Sequence, residues 1–215
     1  MKRMVQEDKH TGDHGIKGSL AFIFIFLIIY DGPLAFECNA QHQQYEFIKK
    51  GTYYAFDAKI AVKADPECLL VEIFQYENIL KYTPGTPEIL LGNRSGNTYE
   101  ITFLYVKFIF FRNESTWQRK MIKEESRIEF SLLTETSSPG LIPEVKSSGG
   151  YYQLIPGDTG CIVHYFQECE LEEGIMTEKY IKEAKKEALE FLRMFRKFVD
   201  ERCKLDIGET NQPAL

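Results

Sequence analysis

What the chain lacks narrows its chemistry first. Its 215 residues contain only four histidines; His10 and His14 fall in the stretch expected to be a signal segment, and the other two, His42 and His164, lie far apart in the sequence and form no metal-binding pair on one helix face. It has no C-x-x-C, no glycine-rich phosphate cradle, no serine-nucleophile elbow and no internal repeat. These absences predict no metal, no cofactor and no catalytic residue, and hence a protein that binds and is not an enzyme. Cationic charge is also short. Against 32 Asp and Glu stand 26 Lys and Arg, leaving a net charge of -6, which argues against nucleic acid as a partner. The longest apolar run falls short of the roughly 20 residues that cross a bilayer, so no membrane partner is expected once it is removed.

That run, Ser19 to Tyr30 (SLAFIFIFLIIY), follows Lys2, Arg3, Lys9 and Lys17 and stops at Asp31-Gly32-Pro33. A basic stretch, a short apolar core and helix breakers describe a signal peptide. The expected division is a signal over 1–35, with cleavage as late as 40, a folded domain over 36–204 and a flexible tail over 205–215. Secretion into an oxidising compartment follows, with disulfides. A cut after Ala40 removes Cys38 and leaves an even set, Cys68, Cys161, Cys169 and Cys203; a cut after Ala35 leaves one thiol over. The sequons at Asn93 and Asn113 fall in polar stretches and are expected glycan sites on surface loops.

Aromatic residues are plentiful, with 16 Phe and 12 Tyr. Gln41 to Lys50 reads as a helical or irregular entry. Thr52 to Val62 reads as a strand stopped by Lys63-Ala64-Asp65-Pro66, and Leu69 to Tyr76 as a second strand. Further strands are expected at Glu88–Leu91, Thr98–Phe111, Ser126–Leu133, Tyr151–Ile155 and Cys161–Phe166. Loops are expected at Asn93–Asn97 and, mobile, at Ser137–Gly150. After Gly174 the period changes. Ile181, Ala184, Ala188, Phe191, Leu192, Phe195, Phe198 and Val199 recur at helical steps, predicting a helix of about seven turns ending at Glu201.

Antiparallel strands followed by one long helix predict an all-β-dominated fold. Its form is an eight-stranded antiparallel β-barrel with room for one small ligand and the C-terminal α-helix packed on its outside. A monomer is expected. Acids inside strands, Asp57, Glu72, Glu100, Glu129 and Glu170, would each need a cation if they faced the interior, and a cationic ligand is one such partner. His164, mid-strand beside Tyr165, is a ligand contact only if it faces inward.

Several short motifs occur in an informative order. They are Tyr53-Tyr54 at the first strand, Lys63-Ala64-Asp65-Pro66 before Cys68, Asp158-Thr159-Gly160-Cys161 opening a late strand, Cys169-Glu170-Leu171, and a helix closing on Cys203. Over Gln41 to Cys203 the chain resembles the tick salivary lipocalins, the group of the histamine-binding proteins. The resemblance implies a secreted, glycosylated barrel that sequesters a small host mediator in saliva: an amine such as histamine or serotonin, or a lipid such as a leukotriene or fatty acid. It implies a Cys68–Cys203 disulfide, and leaves Cys169 as the partner of Cys161 or, if Cys38 survives, of Cys38. Asp65 and Glu170 match positions that meet amines in some members, with Tyr53, Tyr54 and His164 behind them. Ile162 and Glu172 depart from the amine-binding pattern, which expects Asp and an aromatic there, so the ligand stays open between amine and lipid. The alternative is an interaction protein whose barrel is filled by Phe, including Phe108, Phe110 and Phe111. Its loops would bind a host haemostatic or complement protein.

Overall fold

The computed structural model describes residues 43–85, 87–106, 112–137 and 143–204. The expected signal segment, Cys38, the tail over 205–215 and the phenylalanines at 108, 110 and 111 lie outside them. Eight strands form one antiparallel sheet: β1 (Gln43–Lys50), β2 (Tyr53–Val62), β3 (Glu88–Ser95), β4 (Thr98–Val106), β5 (Arg112–Ile122), β6 (Arg127–Ser137), β7 (Val145–Gly157) and β8 (Gly160–Leu171). Their spatial order is β1-β2-β8-β7-β6-β5-β4-β3. Among the described residues β1 and β3 are its two edges and do not pair, so the sheet is open where a closed barrel was expected.

The reason lies between β2 and β3. Residues Leu69 to Tyr76 are not a strand: Pro66–Phe74 forms the helix α1, followed by the short helix α2 (Tyr76–Ile79). Asp65 caps α1, its side chain accepting the Cys68 N–H at 2.7 Å, and Pro66 opens the first turn, where its missing N–H costs nothing. Leu69, Leu70, Ile73 and Phe74 then share one buried helical face. This connection carries the chain from β2 to the far edge of the sheet. All the other strand connections are hairpins.

Other segments differ from expectation for local reasons. Gln43–Lys50 is an edge strand, paired along its length with β2 and largely exposed. The polar stretch Arg112–Ile122 is β5, laddered on both sides against β4 and β6, with Asn113, Ser115, Trp117 and Arg119 turned to the inner face. The second part of the expected mobile loop over Ser137–Gly150, from Val145, is the start of β7, with Gly149 and Gly150 laddered against β6 and β8. Gly150 has no room for a side chain, since a Cβ there would sit 2.7 Å from the ring of Phe130 and closer still to the Phe166 carbonyl.

The third helix, α3 (Thr177–Glu201), lies against the inner face of the sheet, not outside it. Phe191 meets Tyr165 at a centroid distance of 4.5 Å and Phe195 meets Tyr152 at 5.4 Å. Tyr82, after α2, touches Phe195 and Phe198 at 5.3 and 5.0 Å. An apolar stripe seeks the largest apolar surface available, and the aromatic inner face supplies it. Sheet, α1–α2 and α3 thus share one core, in which Ile60, Leu69, Ile73, Ile101, Leu154, Leu192 and Phe195 are fully buried.

The Cys68–Cys203 disulfide is present, with 5.8 Å between Cα atoms, and ties the first turn of α1 to the end of α3. The Asp65 N–H donates to the Cys203 carbonyl beside it at 3.0 Å. Cys161 and Cys169 stand at opposite ends of β8. Eight residues of strand separate them by about 26 Å, so they cannot pair with each other. Cys169 is a buried free thiol.

Candidate functional site

Between the sheet and α3 is a cavity of about 600 Å³. Side chains alternate across a strand, so each strand gives it every second residue. From β5 come Asn113, Ser115, Trp117 and Arg119; from β4, Ile101, Phe103 and Tyr105; from β8, Tyr165, Gln167 and Cys169. Helix α3 adds Tyr180, Ala184, Glu187, Ala188 and Phe191, and the segment after α2 adds Tyr82, Thr83 and Pro84. Among the described residues the aromatic rings line a space instead of filling it.

At the inner end stands Arg119, 5% exposed. Its Nη2 donates to the Ile73 carbonyl at 3.0 Å and its Nη1 to the Tyr82 hydroxyl at 3.3 Å. The guanidinium lies 5.5 Å from the Tyr152 ring centroid and 6.0 Å from that of Tyr99. Its Nε has no hydrogen-bond partner, and no carboxylate pairs with it among the described residues. Burial pushes the Tyr99 hydroxyl up to about 12 and those of Tyr152 and Tyr165 well above the usual phenol range, so all three are neutral donors at neutral pH. Tyr165 spends its proton on Gln167 at 2.6 Å, Tyr99 on the Phe74 carbonyl at 2.7 Å and Tyr82 on the Ile73 carbonyl at 3.0 Å.

The outer end is built differently. Its side chains Tyr105, Asn113, Leu132, Glu135 and Tyr180 are half-buried. Asn113 Nδ2 donates to the Glu135 carboxylate at 2.9 Å, and Trp117 Nε1 donates to the Ser115 hydroxyl at 3.0 Å. Burial pushes the Glu135 carboxyl up, against the lowering effect of the Asn113 bond and the Val145 backbone. Cys169 sits opposite Tyr54 across the β2–β8 ladder, and burial raises its thiol while bonds to Tyr54 and Ser148 oppose the rise.

Of the five residues expected to bind ligand, only Tyr54 lines the cavity, its hydroxyl pushed up by burial. Asp65 is spent on capping α1. Tyr53, His164 and Glu170 have the opposite parity and face outward. His164 meets Asp57 at 3.1 Å there, Tyr53 donates to Glu168 at 3.1 Å, and Glu170 is exposed. The sequons are not in loops. Asn93 is on β3, exposed, donating to Glu100 at 3.0 Å, whereas Asn113 is on β5 with its side chain in the cavity wall. Arg119 and Glu135 were missed because both stand in polar stretches that alternate weakly. Among the described residues no group of three or more His, Cys, Asp or Glu is placed to hold a metal, and no helix is long and apolar enough to cross a membrane.

No protein-family model matches the chain, and no curated protein matches it in sequence. Solved structures do match in fold. A STAR-related lipid transfer protein from Xanthomonas axonopodis aligns with a TM-score of 0.56 at 11% identity, over 75% of this chain and 95% of that one. A Streptomyces aromatase/cyclase aligns with a TM-score of 0.54 at 12% identity, over 78% and 99%. A protein from Thermus thermophilus aligns at 0.52 and 15% identity, over 74% and 95%. The lipocalin resemblance is thereby overturned: the chain shares its fold with these proteins, and the α1–α2 crossover with its open sheet has no place in the expected barrel. The expectation that the chain is not an enzyme is corrected with it, because the fold is one that an aromatase/cyclase uses.

Proposed function

We propose that the chain binds a small, largely apolar molecule and holds one acidic or carbonyl oxygen of it on Arg119. The observation that carries this reading is a guanidinium 5% exposed on the wall of an aromatic cavity, with its Nε unpartnered. A buried charge without a counter-charge costs several kcal/mol, and a bound oxyanion offsets that cost through charge-assisted hydrogen bonds. A lipid carboxylate suits the site better than an amine, since Asp65 and Glu170 lie away from the cavity. The fold likeness to a lipid transfer protein supports a lipid-like ligand.

A cavity of about 600 Å³ falls within the usual range for one small ligand. Native mass spectrometry and titration with hexadecanoate test the reading on wild type and Arg119→Met. Retention by wild type and at least tenfold weaker binding by the variant are expected on the loss of one charge-assisted contact. No retention by wild type, or equal binding by both, overturns it.

A second reading is favoured by the same open Nε, a cationic donor with no partner on the cavity wall. A ligand carbonyl placed there would be polarised, and the fold likeness to an aromatase/cyclase supports chemistry on such a group. Conversion of a bound polyketone-like compound, followed by mass, distinguishes catalysis from simple binding.

Secretion belongs to the same proposal. The Cys68–Cys203 bond is of the kind that persists in oxidising compartments, and the apolar run over 19–30 suits an export signal. Sequencing the N-terminus of the product from secretory eukaryotic cells checks it, and retention inside the cells counts against it.

A further inference from the structure

The outer end of the cavity contains a carboxylate that the strand pattern alone would have turned away. Along β6, Ile128, Phe130 and Leu132 face inward, and strict alternation would put Glu135 on the outer face with Arg127, Glu129 and Ser131. The pairing of β6 with β5 instead slips at one point, from Thr116↔Thr134 to Trp117↔Leu132, leaving Leu133 as an extra residue. Such a bulge re-aims the side chains beyond it, and here it swings Glu135 into the cavity. A second register slip on β7, at Lys146, brings Val145 into the wall beside it.

Turning a carboxylate into an aromatic cavity is unfavourable unless something meets it. Asn113 occupies one Glu135 oxygen at 2.9 Å, and the Val145 backbone adds a bond. A carboxylate accepts about four hydrogen bonds, so acceptor capacity remains. No lysine or arginine pairs with Glu135 among the described residues. Glu187, Tyr105 and Tyr180 line the same end and add no positive charge.

We infer that Glu135 and Asn113 form a second polar anchor, so that the ligand carries a hydrogen-bond donor, a hydroxyl or an ammonium, at the end remote from Arg119. Length follows from β5, which ladders without a break against β4 and presents Asn113 and Arg119 to the cavity six residues apart. Six strand residues span about 20 Å. The ligand is thus an elongated molecule with an acceptor group at one end and a donor at the other, comparable in reach to an extended hexadecanoate chain. This rests on the reading of Arg119 as the anchor for oxygen.

The test compares three probes on the full-length protein by titration calorimetry: hexadecanoate, omega-hydroxyhexadecanoate and omega-aminohexadecanoate. Wild type is expected to bind at least one of the two donor-ended acids about tenfold tighter than hexadecanoate, as one hydrogen bond to a charged group allows. Which of the two gains more identifies the donor as hydroxyl or ammonium. In Glu135→Leu the ratio is expected to fall to about one. Should that variant not fold, the wild-type ratio still decides. Equal wild-type affinities for all three probes overturn the second anchor and leave the binding role standing. A preference that survives Glu135→Leu overturns the assignment to this carboxylate, and binding of none overturns the container as well.

Discussion

On the outer face of the sheet, His164 meets Asp57 at 3.1 Å, and Arg127, 4.0 Å over the ring of Tyr151, has the Glu129 carboxylate 3.1 Å from its Nε. On the inner face, one strand position away in parity, Arg119 is sealed among Tyr82, Tyr99 and Tyr152 with an unpartnered Nε, and Glu135 is turned in by a bulge. The residue types are alike. What differs is whether an opposite group of the protein stands beside each charge. Outside, each charge is paired and the pair contributes little; inside, a buried charge without its opposite is a standing demand for a ligand.

The contrast is broken most severely by cutting the ring that seals the inner face. Phe195 is fully buried, so Phe195→Ala is expected to cost about 3–5 kcal/mol in denaturant unfolding. Phe166→Ala, whose ring stacks on Tyr151 on the outer face, is expected to cost about 1 kcal/mol. Equal losses would show that the core is not where it is placed here. The charges give the next largest effect. Arg119→Met is expected to stabilise the ligand-free protein by about 1–4 kcal/mol, because a matched apolar side chain removes an uncompensated buried charge. Asp57→Asn is expected to change stability by less than about 1 kcal/mol. A less stable Arg119→Met protein would mean that the bonds to Ile73 and Tyr82 outweigh the burial cost.

The smallest effect sharpens the comparison through pH. Burial raises the Glu135 carboxyl in the folded chain, so the folded state keeps this proton to higher pH than the unfolded state does. Stability from this group is complete below the ordinary carboxylate range and is lost as pH rises through the raised value. Glu135→Gln should therefore be more stable than wild type at neutral pH, and the gap should close as pH falls below that range. Thermal melts across pH check it; a gap that widens on acidification would mean that Asn113 and Val145 lower the group more than burial raises it.

The long helix was legible because its stripe from Ile181 to Val199 has a period that only a helix satisfies. Most strands were legible from their aromatic and β-branched runs. The strand β5 was not, since in RNESTWQRK three of the four residues that line the cavity, Asn113, Ser115 and Arg119, are themselves polar. Leu69 to Tyr76 misled because a short apolar run fits strand and helix alike, and the deciding signal, Asp65-Pro66 as cap and first turn, was read only as a strand's end. That one segment also accounts for the mistaken barrel, since without its crossover the remaining hairpins would read as an up-and-down meander. The site was hardly legible. Parity places Tyr54 inside and Tyr53 outside, and no feature of the sequence around Leu133 announces the bulge that brings Glu135 in.

The Cys68–Cys203 bond bears on how anything reaches this interior. It pins α3 at its last turn to α1, where Arg196 also donates to the Ala61 carbonyl at 2.9 Å. The helix is thus held at both ends, by that bond beyond Val199 and, toward Thr177, by its short connection to β8, where the Thr177 hydroxyl donates to the Glu172 carbonyl at 3.1 Å and Lys49 pairs with Glu178. With α3 fixed at both ends, the half-buried end of the cavity is its natural mouth, so a guest passes Glu135 and Asn113 before it meets Arg119 and leaves in the reverse order.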